Sequence, residues 1–401
     1  MNAVGIDVSK GKSMAAVMPP CGEAALAPFE VSHTGSDLSE LAKALKKLPG
    51  ETRVVMEYTG YCHAPVALAL CEAGLYVSVV NPLLAHDYGN NSLRRAKTDR
   101  KDALKLASYA LDRRTQLPKY QPQEDTRLLL KTTYRQYQQT SKILTMQKNN
   151  LITLPDMTFP EANRLFSGPM RDDGNEKWVD FVETFRHSQC VSSRSEKAFQ
   201  ERFKNWRKKR GYRCNEKKAA EIYAARSCVY PMPKTDETRL LLEQAVSQIR
   251  ASSKALVALD ERMRKLAETL PEYPVVMAMY GVGPRLGPQL MAEIGDVRRF
   301  HSKGAPVAYA GVDAPPYQSG TVDVHSRSMS KRGSPSLRRT LFLVMSVLLQ
   351  KAPPDQPVYQ FMDKKRSQGK PYKVYMTAAA NKFLRVYYAK VKAHLDALEK
   401  G

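Results

Sequence analysis

"NAVGIDVSKGKSMAAVMP", residues 2–19, decides how the first part of the chain is read. Two apolar runs, residues 2–9 and 13–19, flank a short polar turn, and so predict two β-strands joined tightly. Asp7 stands in the middle of the first run, where a carboxylate is costly unless it is paired or holds a cation. Downstream the period changes repeatedly. "LSELAKALKKL" (38–48) is an amphipathic helix and "TRVVMEYTG" (52–60) a strand. "APVALALCEAG" (64–74) is a helix ended by Gly74, and "YVSVVNP" (76–82) another strand. This alternation predicts an α/β domain.

Two further observations concern acids. Glu57 ends the apolar run of its strand, at the rim of the expected sheet. In "AKTDRKDALKLA" (96–107), Asp99 and Asp102 stand three apart, so they project from one face of a starting helix. Such a pair could share a metal ion, or could be ordinary first-turn acids favoured by the helix dipole. An acid mid-strand, an acid at a strand end and a helical pair together fit a ribonuclease H-like core whose carboxylates bind two Mg²⁺ ions, because Mg²⁺ selects oxygen ligands. The neighbouring Arg100 and Lys101 would then draw in the phosphodiester.

The remainder reads as mainly helical. Leu130, Tyr134, Tyr137, Ser141, Leu144, Lys148 and Leu151 recur at alternating four and three spacing, which predicts one long helix. Leu242, Ile249, Leu256, Met263 and Leu270 recur every seven residues, with Ala245, Ser252, Leu259 and Leu266 three further on. That is a coiled-coil seam, or a long helix packed inside its own domain. Between them, "KAFQERFKNWRKKRGYR" (197–213) is a basic helix whose Phe199, Phe203 and Trp206 have the spacing of a packed face. Gly281 and Gly283 in "GVGPRLG" form a tight turn ahead of a helix, an arrangement that aims backbone N–H groups at a phosphate. We expect three regions: a catalytic domain over 1–122, a helical coiled-coil region with a basic insert over 123–273, and a C-terminal domain over 274–401.

Composition narrows the function. The 401 residues carry 63 Lys and Arg against 40 Asp and Glu, a net charge of +23 spread from end to end, so a long polyanion is the expected partner. No apolar run approaches the ~18 residues of a membrane span, and no signal peptide opens the chain, so no membrane partner and a cytoplasmic location are expected. The six cysteines include no CxxC pair and match no zinc knuckle.

"GIDVSK", "MEYTGY", "NPLLAHDYGNNSLRRAKTDRKDA", "GVGPRLGPQLMAEIGD", "YAGVDAPPYQSG" and "SKRGSPSLRR" together resemble the DEDD insertion-sequence transposases, whose catalytic domain is similar to the Holliday-junction resolvase RuvC. The likeness spans both ends of the chain, and the middle matches only in helical character. It implies a RuvC-like N-terminal domain followed by a mainly helical C-terminal transposase domain, hence α/β plus α. It also implies that Asp7, Glu57, Asp99 and Asp102 are the four metal-binding acids, and that Ser319 in "YQSG" is a nucleophile forming a phosphoserine with DNA. Gly320 beside it permits close backbone approach, and Arg327, Lys331, Arg332, Arg338 and Arg339 could neutralise a phosphate. Donor and target DNA, a bridge-type noncoding RNA and further copies of the chain, as a dimer or tetramer, are the implied partners. Two other readings stay open: a metal-dependent junction nuclease that uses water, and a non-catalytic nucleic-acid-binding scaffold.

Overall fold

The computed structural model describes residues 1–20, 27–88, 98–122, 124–160, 162–166, 168–213, 215, 217–227, 231–315, 318–319, 322–323 and 328–400. They fall into two compact units, Met1–Gln123 and Glu124–Gly401.

The first unit is a five-stranded sheet with helices on both faces. Its strands are β1 (Asn2–Val8), β2 (Lys12–Met18), β3 (Phe29–Ser32), β4 (Thr52–Glu57) and β5 (Tyr76–Val80), in the order β3-β2-β1-β4-β5. β2 runs antiparallel to both β1 and β3, whereas β1, β4 and β5 are mutually parallel, with Ile6 opposite Met56 and Glu57 opposite Val80. The parallel crossovers are made by α1 (Gly35–Lys46) and α2 (His63–Glu72); α3 (Pro82–Tyr88) and α4 (Asp99–Asp112) follow.

β1 is central, so its side chains are buried on both sides. Val4, Ile6 and Val8 share one core with Val54, Met56, Leu41 of α1 and Leu70 of α2. Ala3 and Val55 pack on the other face with Leu106 and Ala110 of α4. Each large aliphatic side chain so buried contributes about 1.5–3 kcal/mol, which fixes the register of β1 strongly.

Gly5 lies on the α4 side of β1. A Cβ there would stand 2.1 Å from the Ala103 carbonyl oxygen and 2.4 Å from the Ala107 nitrogen, so the backbone of α4 rests directly on the strand. Since Gly5 meets residues 103–107 and Ala3 meets Leu106 and Ala110, α4 runs antiparallel to β1. Its first turn is therefore carried to the C-terminal end of β1.

Among its described residues, the second unit has helices and one small hairpin as its regular elements. It comprises α5 (Asp125–Thr158), α6 (Lys177–Thr184), α7 (Gln189–Ser192), α8 (Glu196–Arg210), α9 (Lys218–Ala224), α10 (Asp236–Glu268), α11 (Tyr273–Met277), α12 (Leu286–Ile294) and α13 (Ala305–Ala310). Strands β6 (Gln318–Ser319) and β7 (Val322–Asp323) then precede α14 (Pro335–Lys351), α15 (Pro357–Ser367) and α16 (Tyr372–Leu398). The long helices α5 and α10 lie along each other and pass through two cores. At one end Leu144, Leu151, Leu242, Ile249 and Leu256 meet Phe181, Phe185, Phe199, Phe203 and Trp206 of the intervening helices. At the other, Leu130, Tyr134, Met263 and Leu270 meet Leu290, Leu341, Met376 and Leu384.

The heptad positions of α10 thus face neighbours in the same chain. The companion row drifts along the helix: Ala245 is buried, but further on Ser253 and Ala267 are buried while Ser252 and Leu266 are half-buried. An α-helix with 3.6 residues per turn drifts relative to a strict seven-residue repeat, which accounts for the displacement. The stretches expected as a middle region and a C-terminal domain share one unit because both ends of the same helix pair are built into them. Among the described residues, no helix is long and apolar enough to cross a membrane.

Candidate active site

Asp7 and Glu57 each lie one residue beyond the aligned pair Ile6 and Met56, on neighbouring parallel strands. Alternation puts both on the face of Gly5 and Val55, the face that α4 covers. Both are half-buried. α4 is capped by Thr98, whose hydroxyl accepts from the Lys101 amide at 3.3 Å, and Asp99 and Asp102 occupy the turn that this cap begins. Because α4 runs antiparallel to β1, that turn is brought to the strand ends bearing Asp7 and Glu57. The four acids therefore collect at one end of the sheet, although 95 residues separate the first from the last.

An electrostatic influence agrees with this placement. The Lys12 ammonium, at the start of β2, is held above its ordinary range by its 2.7 Å bond to the Glu30 carboxylate and more weakly by the charge of Asp99. Asp99 thus lies near the tip of the β1–β2 hairpin. Arg100 and Lys101 are exposed beside it. The donor set is all oxygen, which suits a hard divalent cation. Among the described residues, no three of His, Cys, Asp and Glu are gathered closely enough to hold an ion by themselves. A cation here would accordingly take phosphate or water oxygens beside the carboxylates, as Mg²⁺ commonly does.

In the second unit, Ser319 lies in β6 opposite Val322 of the antiparallel β7. The surrounding segment is tied at its base. Ser330 donates from its hydroxyl to Asp313 at 2.5 Å and from its amide to the Asp313 carbonyl at 2.8 Å, and the Lys331 amide donates to Gly311 at 3.1 Å. Arg338 donates to the Ala310 carbonyl at 2.8 Å. Its guanidinium thus fastens the loop base, while Lys331, Arg332 and Arg339 are exposed. Arg327 and Gly320 lie outside the described residues.

Behind this base lies a polar network that the sequence reading missed. The buried Glu293 of α12 pairs with Arg135 of α5 at 2.8 Å and accepts from the Ser334 hydroxyl at 2.6 Å. Arg135 also donates to Ser336 at 2.9 Å, and Ser334 caps α14 by accepting from the Leu337 amide. The Ser-Pro pair at 334–335 signals the cap, but nothing local to Glu293 announces partners 158 and 41 residues away.

The turn at Gly281 and Gly283 has a packing role. Gly281 has φ +80°, and a Cβ there would stand 2.9 Å from Leu348 Cγ and 3.0 Å from the Val344 carbonyl oxygen of α14. Close approach to α14 therefore requires glycine at 281. Gly283 is open, with nothing within 4 Å of such a Cβ.

Residues 4–160 match the model of the DEDD transposases of the IS110 group, and residues 273–360 match the transposase IS116/IS110/IS902 family. The chain belongs to this transposase family. The transposase is 24% identical over 318 residues to the pilin gene-inverting protein of Moraxella bovis, covering 79% of this chain and 72% of that one. It is also 24% identical over 370 residues to a protein of insertion element IS116 from Streptomyces clavuligerus, covering 91% and 88% of the two chains. The transposase is accordingly a DNA-processing enzyme.

Proposed function

We propose that this transposase cuts and rejoins DNA through a covalent phosphoserine at Ser319, with divalent cations held by Asp7, Glu57, Asp99 and Asp102. The observation that carries the reading is the seating of α4 on Gly5, which brings a helical acid pair to the strand ends bearing two more acids. The sheet order β3-β2-β1-β4-β5, with only β2 antiparallel to its neighbours, supports a ribonuclease H-like, RuvC-like domain.

In this reading the Ser319 oxygen bonds to the phosphorus of a DNA phosphodiester and gives up its proton. The bond from phosphorus to one sugar oxygen breaks, and that oxygen takes a proton. Rejoining is the reverse, with a sugar hydroxyl from the other DNA attacking the phosphoserine, so no water is consumed. A hydroxyl is a weak nucleophile without activation. Two bound Mg²⁺ ions would supply that activation and neutralise charge on the phosphate. The exposed Arg100, Lys101, Lys331, Arg332 and Arg339 steer and hold the backbone electrostatically.

The family resemblance implies a bridge-type noncoding RNA that pairs with donor and target DNA, and the net charge of +23 agrees with such a polyanionic partner. Base pairing then reads sequence while the protein holds backbones. Work on several strands calls for a homo-oligomer, a dimer or tetramer, acting in the cytoplasm. Leu259, half-exposed on α10, is the seam position left to contact another copy, whereas Leu266 packs against the core of its own chain.

The test is direct. Labelled DNA incubated with the protein, RNA and Mg²⁺ should yield a detergent-resistant protein–DNA species that protease removes and that peptide mapping places on Ser319. Cleavage that leaves free phosphate ends and no adduct would instead establish a hydrolytic junction nuclease.

A further inference from the structure

The helices between α5 and α10 are a separate element that the cutting chemistry does not use. Residues 166, 168–173, 177–178 and 212–213 line a cleft of about 710 Å³ at their surface, inside the ~300–1,000 Å³ range of small-ligand sites. Three aromatic rings line it, from Phe166, Trp178 and Tyr212, together with the cations of Arg171, Lys177 and Arg213. Phe166 and Trp178 are only half-buried, so ring surface faces the cleft, unlike Phe199, Phe203 and Trp206, which are spent in the core behind.

The cleft is held in shape by hydrogen bonds. Arg171 donates to the Arg210 carbonyl at 3.0 Å and Lys177 to the Arg213 carbonyl at 2.9 Å, while both cations lie over the Tyr212 ring, at 5.4 and 5.5 Å. The Trp178 indole N–H donates to Glu176 at 2.9 Å, which fixes the plane of the ring. Two acids also line the cleft, Asp172 and Asp173. They are paired with Arg285 at 3.5 Å and Arg171 at 3.3 Å, so their charge is offset.

From these features we infer that the cleft binds an unpaired nucleotide of a single nucleic-acid strand: the base against Trp178 and Phe166, its phosphate toward Lys177 and the exposed Arg213. Rings with adjacent cations match base faces joined by phosphates, and such stacking is worth about 1–3 kcal/mol per base. A duplex is excluded because its base faces are already stacked, and only an extruded or unpaired base offers one. The paired carboxylates offer acceptors to a base's amino group and set the cleft apart from a plain polyanion groove. The inference rests on the chain's being a nucleic acid-handling transposase but not on the serine chemistry.

The chain has two tryptophans, so Trp206→Phe leaves Trp178 as the single indole reporter in the full-length protein. Titration with an oligouridylate or an oligothymidylate dodecamer should quench Trp178 fluorescence. An abasic backbone of the same length and a blunt duplex should not. Lys177→Ala with Arg213→Ala should weaken the quench about tenfold. Tighter oligouridylate binding identifies an RNA loop as the natural ligand, and tighter oligothymidylate binding a DNA strand; each upholds the site. If Trp206→Phe does not fold, the difference signal between wild type and Trp178→Phe gives the same reading. Equal quenching by the abasic strand, no quenching at all, or an unmoved titration in the double variant overturns the inference. Ser319→Ala should retain the quench, so failure of the phosphoserine chemistry is separable from failure of this site.

Discussion

Gly5 of β1 and Ala103 of α4 are in backbone contact: a side chain at residue 5 would begin 2.1 Å from the Ala103 carbonyl oxygen. The contact sets the height of α4 over the sheet and hence the position of Asp99 and Asp102. Gly5→Ala must push the helix away. Overpacking of this kind costs about 1–3 kcal/mol, with more expected here because both partners are backbone. A lowered melting temperature together with lost DNA cleavage is expected. A variant that melts lower but cuts at the normal rate would show that the seating of α4 does not govern the acids.

Asp7→Ala, Glu57→Ala, Asp99→Ala and Asp102→Ala should each abolish strand cleavage while leaving nucleic-acid binding nearly unchanged, since none removes a phosphate-binding cation. Chelation of divalent cations should reproduce the same split. Gel-shift and cleavage assays on the same preparations check it. Any variant that recombines normally removes that acid from the site.

Ser319→Ala and Ser330→Ala should part company. The first should eliminate the covalent adduct and keep binding. The second removes a hydroxyl already donated to Asp313, so it should reduce the adduct only partially, through a looser loop base. An adduct that survives in Ser319→Ala and vanishes in Ser330→Ala would exchange their roles.

Arg127 and Glu272 form a buried ion pair in the second unit; burial opposes the Arg127 charge, but the hydrogen bond and charge of Glu272, with the charges of Asp296 and Glu124, together outweigh it, so its pKa rises. Glu272→Gln removes the buried counter-charge and leaves the guanidinium only the largely exposed Glu124 at 3.3 Å, so it should destabilise the fold, by up to about 3–5 kcal/mol. Chemical denaturation monitored by circular dichroism measures this. A loss below 1 kcal/mol would mean that Glu124 alone suffices to balance Arg127.

Leu256 and Leu259 separate folding from association. Leu256 is 7% exposed in the core around the inserted helices, so Leu256→Ala should cost about 2–5 kcal/mol without changing the mass of the assembled protein. Leu259→Asp, at the half-exposed seam position, should leave the melting temperature nearly in place and lower the mass seen by light scattering. The opposite pairing of effects would remove this position from the oligomer contact.

The strands and long helices were legible because their evidence is local: an apolar run in residues 2–8, a three-four rhythm in 125–158, Ser-Pro at the start of α14. The acids could be nominated from context, since Asp7 is conspicuous inside an apolar strand. Their convergence was not legible from spacing, because it depends on the direction in which α4 crosses β1, and that follows from Gly5, a residue easily taken for a flaw in a strand. The heptads of α10 were visible, but the residues that fill them are contributed by α5 and by helices remote in sequence. Glu293 gave no signal at all, as its value lies in partners supplied by two other helices.

Finally, the passage of α5 and α10 through two cores bears on how this lineage can change. Leu144, Leu151, Leu242 and Ile249 are covered by the helices inserted between them. A descendant that discarded the insert would lay bare an oily stripe along a protein that must stay soluble among its own copies. Loss of the insert therefore demands simultaneous replacement of that stripe by polar residues, whereas alteration of the cleft on its outer surface demands nothing of the helices beneath. Variation among relatives that retain the insert should accordingly gather at its rim, while the stripe stays apolar, a pattern that sequencing alone can reveal.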